Sequence, residues 1–211
     1  MKRATPKLRA DKKKCPTPPN LAEHILALAQ IFAANSFLPN EQTARELNYP
    51  IFQTLRNPKR RYQLHYEKNA PVAMYDDNTT PRWALLWAHG IEAVAHQKGW
   101  QFSHVWPASK DRHAYTRVAN LALVPECFGG LTDKQGPLVP FLRWHAWDKY
   151  NWKPANQSNP QCPAGFETIT WRYLPYKENP ARFISDRMET LNNEVTRTLR
   201  TLALLTQAIR P

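Results

Sequence analysis

Cysteine is scarce in this chain of 211 residues: Cys15, Cys127 and Cys162 are odd in number and far apart. No two form a Cys-x-x-Cys pair, so neither a structural zinc site nor a disulfide framework has support. A reducing compartment suits such a chain. Long apolar runs are missing too. Nothing approaches the roughly twenty apolar residues that span a bilayer, and no apolar stretch of a signal peptide follows the basic N-terminus. We therefore expect a soluble, cytoplasmic protein with no membrane partner. No internal repeat is present. Acidic residues are in deficit: 17 Asp and Glu stand against 29 Lys and Arg, a formal net charge of +12. A surplus of this size points to a polyanion, and nucleic acid is the usual one.

What is present is enough for a core. Hydrophobic residues make up 42%, with 8 Trp, 8 Tyr and 8 Phe, which rules out a fully disordered chain. The length suits one domain, or one domain with an appendage.

Residues 1–20 read as a basic disordered tail: Lys2, Arg3, Lys7, Arg9, Lys12, Lys13 and Lys14 crowd it, and Pro16, Pro18 and Pro19 close it. Residues 21–98 read as a helical N-terminal region. Leu21, Ile25, Leu28, Ala29 and Phe32 share a face of a helix over 20–35, with Asn20 as its N-cap. Short helices are expected over Asn40–Leu47 and near Ile51–Leu55. Lys59-Arg60-Arg61 enters an alternating strand at Tyr62–Tyr66, and 76–80 is a loop. A strongly apolar helix over Trp83–Gln97 has Pro81 in its first turn and Gly99 as its stop. His89 and His96, on or near it, read as packing or surface residues.

Strands are expected over Trp100–Trp106 and Asn120–Val124, separated by a polar loop over 107–118. A short helix starts near Leu131–Asp133, and another runs through Phe141–Tyr150. His145 and Asp148 share a face of it, which reads as a surface hydrogen bond sooner than a metal pair. Residues 151–165 are loop and Glu167–Tyr173 alternates as a strand. Phe183, Ile184, Met188, Leu191, Val195, Leu199, Leu202 and Ile209 recur near the helical period, so one long amphipathic helix is expected over Pro180–Ile209. It could brace the fold or pair with a second copy as a homodimer. Cys127 reads as a small buried side chain. Most of Trp100, Trp106, Trp144, Trp147 and Trp152 read as core, with base stacking the other use.

The stretch that proposes chemistry is Phe102-Ser-His-Val-Trp-Pro-Ala-Ser109, followed by Ala119-Asn-Leu-Ala-Leu-Val124 and then Asp133. A His ends the first strand, a Pro follows shortly, and an Asn opens the second strand. This segment of about 40 residues resembles the HNH, or ββα-metal, endonucleases. The resemblance implies an HNH-like ββα unit over 99–150; the periodicity reads 151–211 as a C-terminal strand and helix packed on the same domain. The elements together give an expected α+β fold, mostly helical, with this ββα-metal hairpin unit at its centre and the long amphipathic helix at its C-terminal end.

The resemblance also implies roles. His104 is the general base, since imidazole takes a proton from water near neutral pH. Asn120 orients the loop and the ring. Asp133 falls at the later metal-ligand position on the helix, and Ser103 stands where the family has Asp, Glu or His. Gly129 occupies the earlier helix position. Oxygen ligands imply Mg²⁺ or Mn²⁺. Lys110, Arg112, His113 and Arg117 in the loop, and Lys59, Arg60 and Arg61 before it, are candidate phosphate contacts. The function expected is metal-dependent hydrolysis of double-stranded DNA, of a restriction or defence type. Ser103 and Gly129 carry the alternative, an inactive nucleic-acid-binding module of HNH-like shape.

Overall fold

The computed structural model describes residues 24–92, 98–133 and 135–208, with side chains to 204. The basic leader, the cap expected at Asn20, His96 and the end expected at Gln97 lie outside them. The fold is α+β, with one sheet of three strands and one of two.

The chain enters on α1 (Ile25–Asn35), which buries Ala29, Phe32 and Ala33 along the stripe its spacing predicts. Helix α2 (Glu41–Glu46) starts where Asn40 lends its side-chain oxygen to the backbone N–H groups of Gln42 and Thr43, at 3.0 and 3.3 Å. Both donors would otherwise be orphans of the first turn.

The region that reads as mainly helical, with one strand at Tyr62–Tyr66, holds the larger sheet. Its strands are β1 (Thr54–Arg56), β2 (Leu64–Glu67) and β3 (Ala70–Asp76), in the order β1-β3-β2. Strand β1 replaces the helix expected near Ile51–Leu55. Pro50 and Pro58 bracket that segment and disfavour helix before them, and β3 offers a parallel ladder from Thr54↔Met74 to Arg56↔Asp76. Strands β2 and β3 form a hairpin turned through Lys68 and Asn69, both at positive φ, as a two-residue turn requires.

Helix α3 (Thr79–Ala88) is the centre of the core; Trp83 through Ala88 are all buried. Its start is fixed by Asp76, whose Oδ2 accepts from both the N–H and the hydroxyl of Thr80 at 2.8 Å. Pro81 sits in the first turn as expected. The helix ends earlier than its apolar run suggests, because Gly90 at φ 72 turns the chain away. His89 is a packing residue: Nδ1 lies 2.6 Å from the Leu85 carbonyl, and Nε2 accepts the N–H of Asn40 at 3.0 Å.

Strands β4 (Trp100–His104) and β5 (Leu121–Pro125) pair antiparallel, from Trp100↔Pro125 to His104↔Leu121. A four-residue helix α4 (Gly129–Thr132) and then α5 (Val139–Tyr150) follow. Glu167–Tyr173 is not a strand. A 3₁₀ turn takes Phe166–Thr168, and only an isolated bridge from Tyr173 to Leu38 follows, since no ladder edge runs beside it. The long C-terminal helix is two, α6 (Pro180–Leu191) and α7 (Glu194–Ala208). Asn192 at φ 37 breaks it, and Asn193 caps α7 by accepting the N–H of Thr196 at 3.0 Å. Val195, Leu199 and Leu202 of α7 are buried within the chain itself. No helix among the described residues is long and apolar enough to cross a membrane.

Candidate active site

The loop between β4 and β5 is pinned from both sides. From inside, the buried Asn120 amide accepts the N–H of Trp106 at 2.8 Å and donates to the carbonyls of Ala114 at 3.0 Å and Trp106 at 3.3 Å. From outside, segment 50–56 is lashed to it. Thr116 Oγ1 accepts the Phe52 N–H at 2.9 Å and donates to the Phe52 carbonyl at 2.7 Å, and the Arg56 N–H reaches the Ser109 carbonyl at 2.9 Å. Asn120 thus shapes the loop. It does not touch the His104 ring, as the sequence reading had it.

The partner of that ring is Tyr115. His104 Nε2 lies 2.9 Å from the Tyr115 carbonyl, and the two rings stack at 5.3 Å with 8° between their planes. A carbonyl only accepts, so Nε2 carries the hydrogen in the neutral ring and Nδ1 keeps the lone pair. Burial holds the imidazole below the ordinary histidine range. The hydrogen bond to Tyr115 acts against this, and the charge of Arg56 acts with it. The ring is therefore neutral at pH 7. Tyr115 is itself braced, its hydroxyl donating to Asn78 Oδ1 at 2.9 Å.

His104 opens on a cleft of about 610 Å³ whose lining includes Arg56, Asp133, Glu126 and Arg143. Sequence reasoning missed Arg56, Tyr115, Glu126 and Arg143. Arg143 had a signal, a lone cation inside the apolar run Val139–Trp147. Its Nε reaches the Val105 carbonyl at 3.4 Å, and its guanidinium lies 5.9 Å from the Trp106 ring. Neither Arg56 nor Arg143 has an ion-pair partner among the described residues. Burial lowers the pKa of Arg143, yet guanidinium stays protonated.

The expected metal residues fare unequally. Asp133 is exposed on the cleft, at the C-terminal end of α4 and not within a helix. Ser103 also lines the cleft but is buried, and its hydroxyl donates to Thr132 Oγ1 at 2.8 Å. At Gly129 a Cβ would run into the Gln101 amide, so that amide fills the space of the earlier ligand position. Among the described residues no three His, Cys, Asp or Glu converge to hold a metal. Mg²⁺ often rests on one or two carboxylates with waters and substrate phosphates; Asp133 and Glu126 are the carboxylates on this cleft.

None of Lys110, Arg112, His113, Arg117, Lys59, Arg60 or Arg61 lines this cleft. Lys59 and Lys110 are exposed. Arg60 donates to Gln63 at 3.2 Å, Arg61 pairs with Asp77 at 2.9 Å, and Arg112 sits 3.7 Å from Glu67 and 3.3 Å from His113. Arg117 is a structural brace, bonded to the His113 carbonyl and to Asn48 and lying over the Trp152 ring. His145 and Asp148 do not pair. His145 is buried against Tyr173 Oη at 2.9 Å, while Asp148 turns to Lys149 at 3.0 Å. Cys127 is exposed, not buried. Trp106 and Trp152 are core and pack edge to face at 5.2 Å.

Compared with family models, with curated proteins and with solved structures, the chain matches none.

Proposed function

We propose that the chain is a nuclease of the HNH-like kind, hydrolysing phosphodiester bonds of double-stranded DNA. The observation that carries this reading is the meeting, on one cleft, of a neutral His104 held by Tyr115, the carboxylate of Asp133, and the guanidinium groups of Arg56 and Arg143, which have no ion-pair partner among the described residues. His104 takes a proton from the attacking water at Nδ1. Hydrolysis piles negative charge on the phosphorus oxygens, and preorganised cations offset it; Arg56 and Arg143 are those cations. Tyr115 keeps the imidazole in one orientation and Asn120 fixes the loop that carries Tyr115, so none of that order has to form during the reaction. Asp133 would hold a Mg²⁺ or Mn²⁺ ion, which when bound supplies charge neutralisation at the phosphate. Lys59 and Lys110, both exposed, are our candidates for flanking phosphates. A restriction or defence role is the biological setting we favour.

A second reading has its own support. Ser103 is tied to Thr132, and Gln101 fills the position beside Gly129. Both suit a nucleic-acid-binding module that keeps the hairpin and has lost its metal. Plasmid cleavage with Mg²⁺, with Mn²⁺ and with EDTA, for wild type and His104→Ala side by side, separates the two. Metal-dependent nicking that vanishes in the variant upholds the nuclease. A gel shift without cleavage under any of these conditions overturns it in favour of the binding module.

A further inference from the structure

A second cavity, of about 480 Å³, opens between α5 and the segment 162–173, and it shares no residue with the His104 cleft. Trp144, Phe166, Trp171 and Tyr173 wall it, and the carboxylates of Asp148 and Glu167 lie on its lining. The walls meet at an angle: the Phe166 ring stands at 83° to Trp144, 6.4 Å away, and at 37° to Trp171, 5.9 Å away. Behind them the buried His145 ring lies 5.1 Å from Trp171 and 5.7 Å from Tyr173. Burial brings the pKa of His145 down to about 3, so this neighbour adds no positive charge.

The charge of this cavity is opposite to that of the chain. Among its described lining residues Lys149 is the one cation, and it is paired with Asp148 at 3.0 Å. Glu167 is exposed and has no ion pair among the described residues. A chain of net charge +12 thus lines one cavity with four aromatic rings and a carboxylate that has no ion pair among the described residues. Phosphate is repelled by such a site. A cation is attracted twice, by the negative faces of the rings and by the carboxylate. An ammonium carrying alkyl groups also gains from burying them against the rings, and its weak hydration makes it cheaper to desolvate than a bare ammonium.

We infer that the Trp144–Phe166–Trp171–Tyr173 cavity binds an organic cation of the alkylammonium class, with Glu167 as its counter-charge. This does not depend on the nuclease reading. Choline tests it against its uncharged analogue, in which carbon replaces the ammonium nitrogen. Binding is read calorimetrically, and its place by peptide-resolved alkylation of Cys162, which lines the cavity, with the exposed Cys127 as internal control. Choline should bind more tightly than the analogue and slow alkylation at Cys162 alone. Glu167→Gln, at an exposed position that leaves the fold intact, should weaken choline about fivefold. A trimethyl-lysine peptide run in parallel separates a protein-borne ammonium from a free one, and binding of either with the same charge preference upholds the class. Equal binding of choline and its analogue, no binding of any alkylammonium probe, or an unchanged Glu167→Gln affinity overturns it.

Discussion

The carbonyl oxygen of Tyr115 lies 2.9 Å from Nε2 of His104, and the Tyr115 ring lies flat against the imidazole that its own backbone holds. One residue thereby sets both the tautomer and the plane of the candidate base. The stacked ring also withdraws the imidazole from water, and this desolvation is what keeps it neutral.

A pH profile reads that arrangement. His104 must be neutral to act, and its pKa in the folded chain is depressed from 6.5. The acidic limb of kcat/KM for plasmid cleavage should inflect below that ordinary value. Arg56→Gln removes a charge that pushes the same way, so the limb should move toward higher pH as the rate falls. A limb that stays in place would detach Arg56 from the ring.

Asn120→Ala leaves the Trp106 N–H and the Ala114 carbonyl without their buried partner. The expected loss is about 2–4 kcal/mol of unfolding free energy, measured by urea denaturation. A loss well below 1 kcal/mol would mean that the loop is held by segment 50–56 alone.

Salt dependence separates working cations from structural ones. Each phosphate contact contributes about 0.9 to the slope of log K against log salt. Arg143→Gln and Arg56→Gln should each flatten the slope of DNA binding by about one. Arg117→Gln should leave the slope unchanged and lower stability instead, because that guanidinium is spent on Asn48, the His113 carbonyl and the Trp152 face.

His145 supplies an acid-sensitivity test. Its folded pKa, about 3, lies below the ordinary 6.5. The unfolded chain therefore binds a proton that the folded chain refuses, and stability present above pH 6.5 drains away as the pH falls toward 3. His145→Gln should be the less stable protein at pH 8. The gap to wild type should narrow as the pH falls through that window. Thermal melts at matched pH values check it, and a constant gap would refute it.

Much of the hairpin was legible because its signals are local: a β-length run ending in His, a Pro, a polar loop, then Asn before an apolar run. The loop-shaping amide of Asn120 could be read on the same grounds. Arg56 could not, since nothing near it announces that β1 pairs in parallel with β3 and runs on to the hairpin loop. Tyr115 was hidden because its backbone, not its side chain, holds the ring. The break at Asn192 was masked by apolar residues that keep the helical period on both sides of it. Trp144 reads as core, yet the packing sets it with Phe166, Trp171 and Tyr173 on the lining of a cavity that also holds Glu167.

The lashing of segment 50–56 to the hairpin loop has a kinetic consequence. The bonds Phe52–Thr116 and Arg56–Ser109 close chain loops of more than fifty residues, and such contacts form only after the intervening chain has collapsed. The cleft should therefore be among the last parts of the molecule to mature. A fragment cut to 99–150 would carry His104, Asn120 and Asp133 and lack Arg56, Asn78 and the strap that holds the loop around them. During refolding, the near-ultraviolet signal of the tryptophans should recover before DNA binding does.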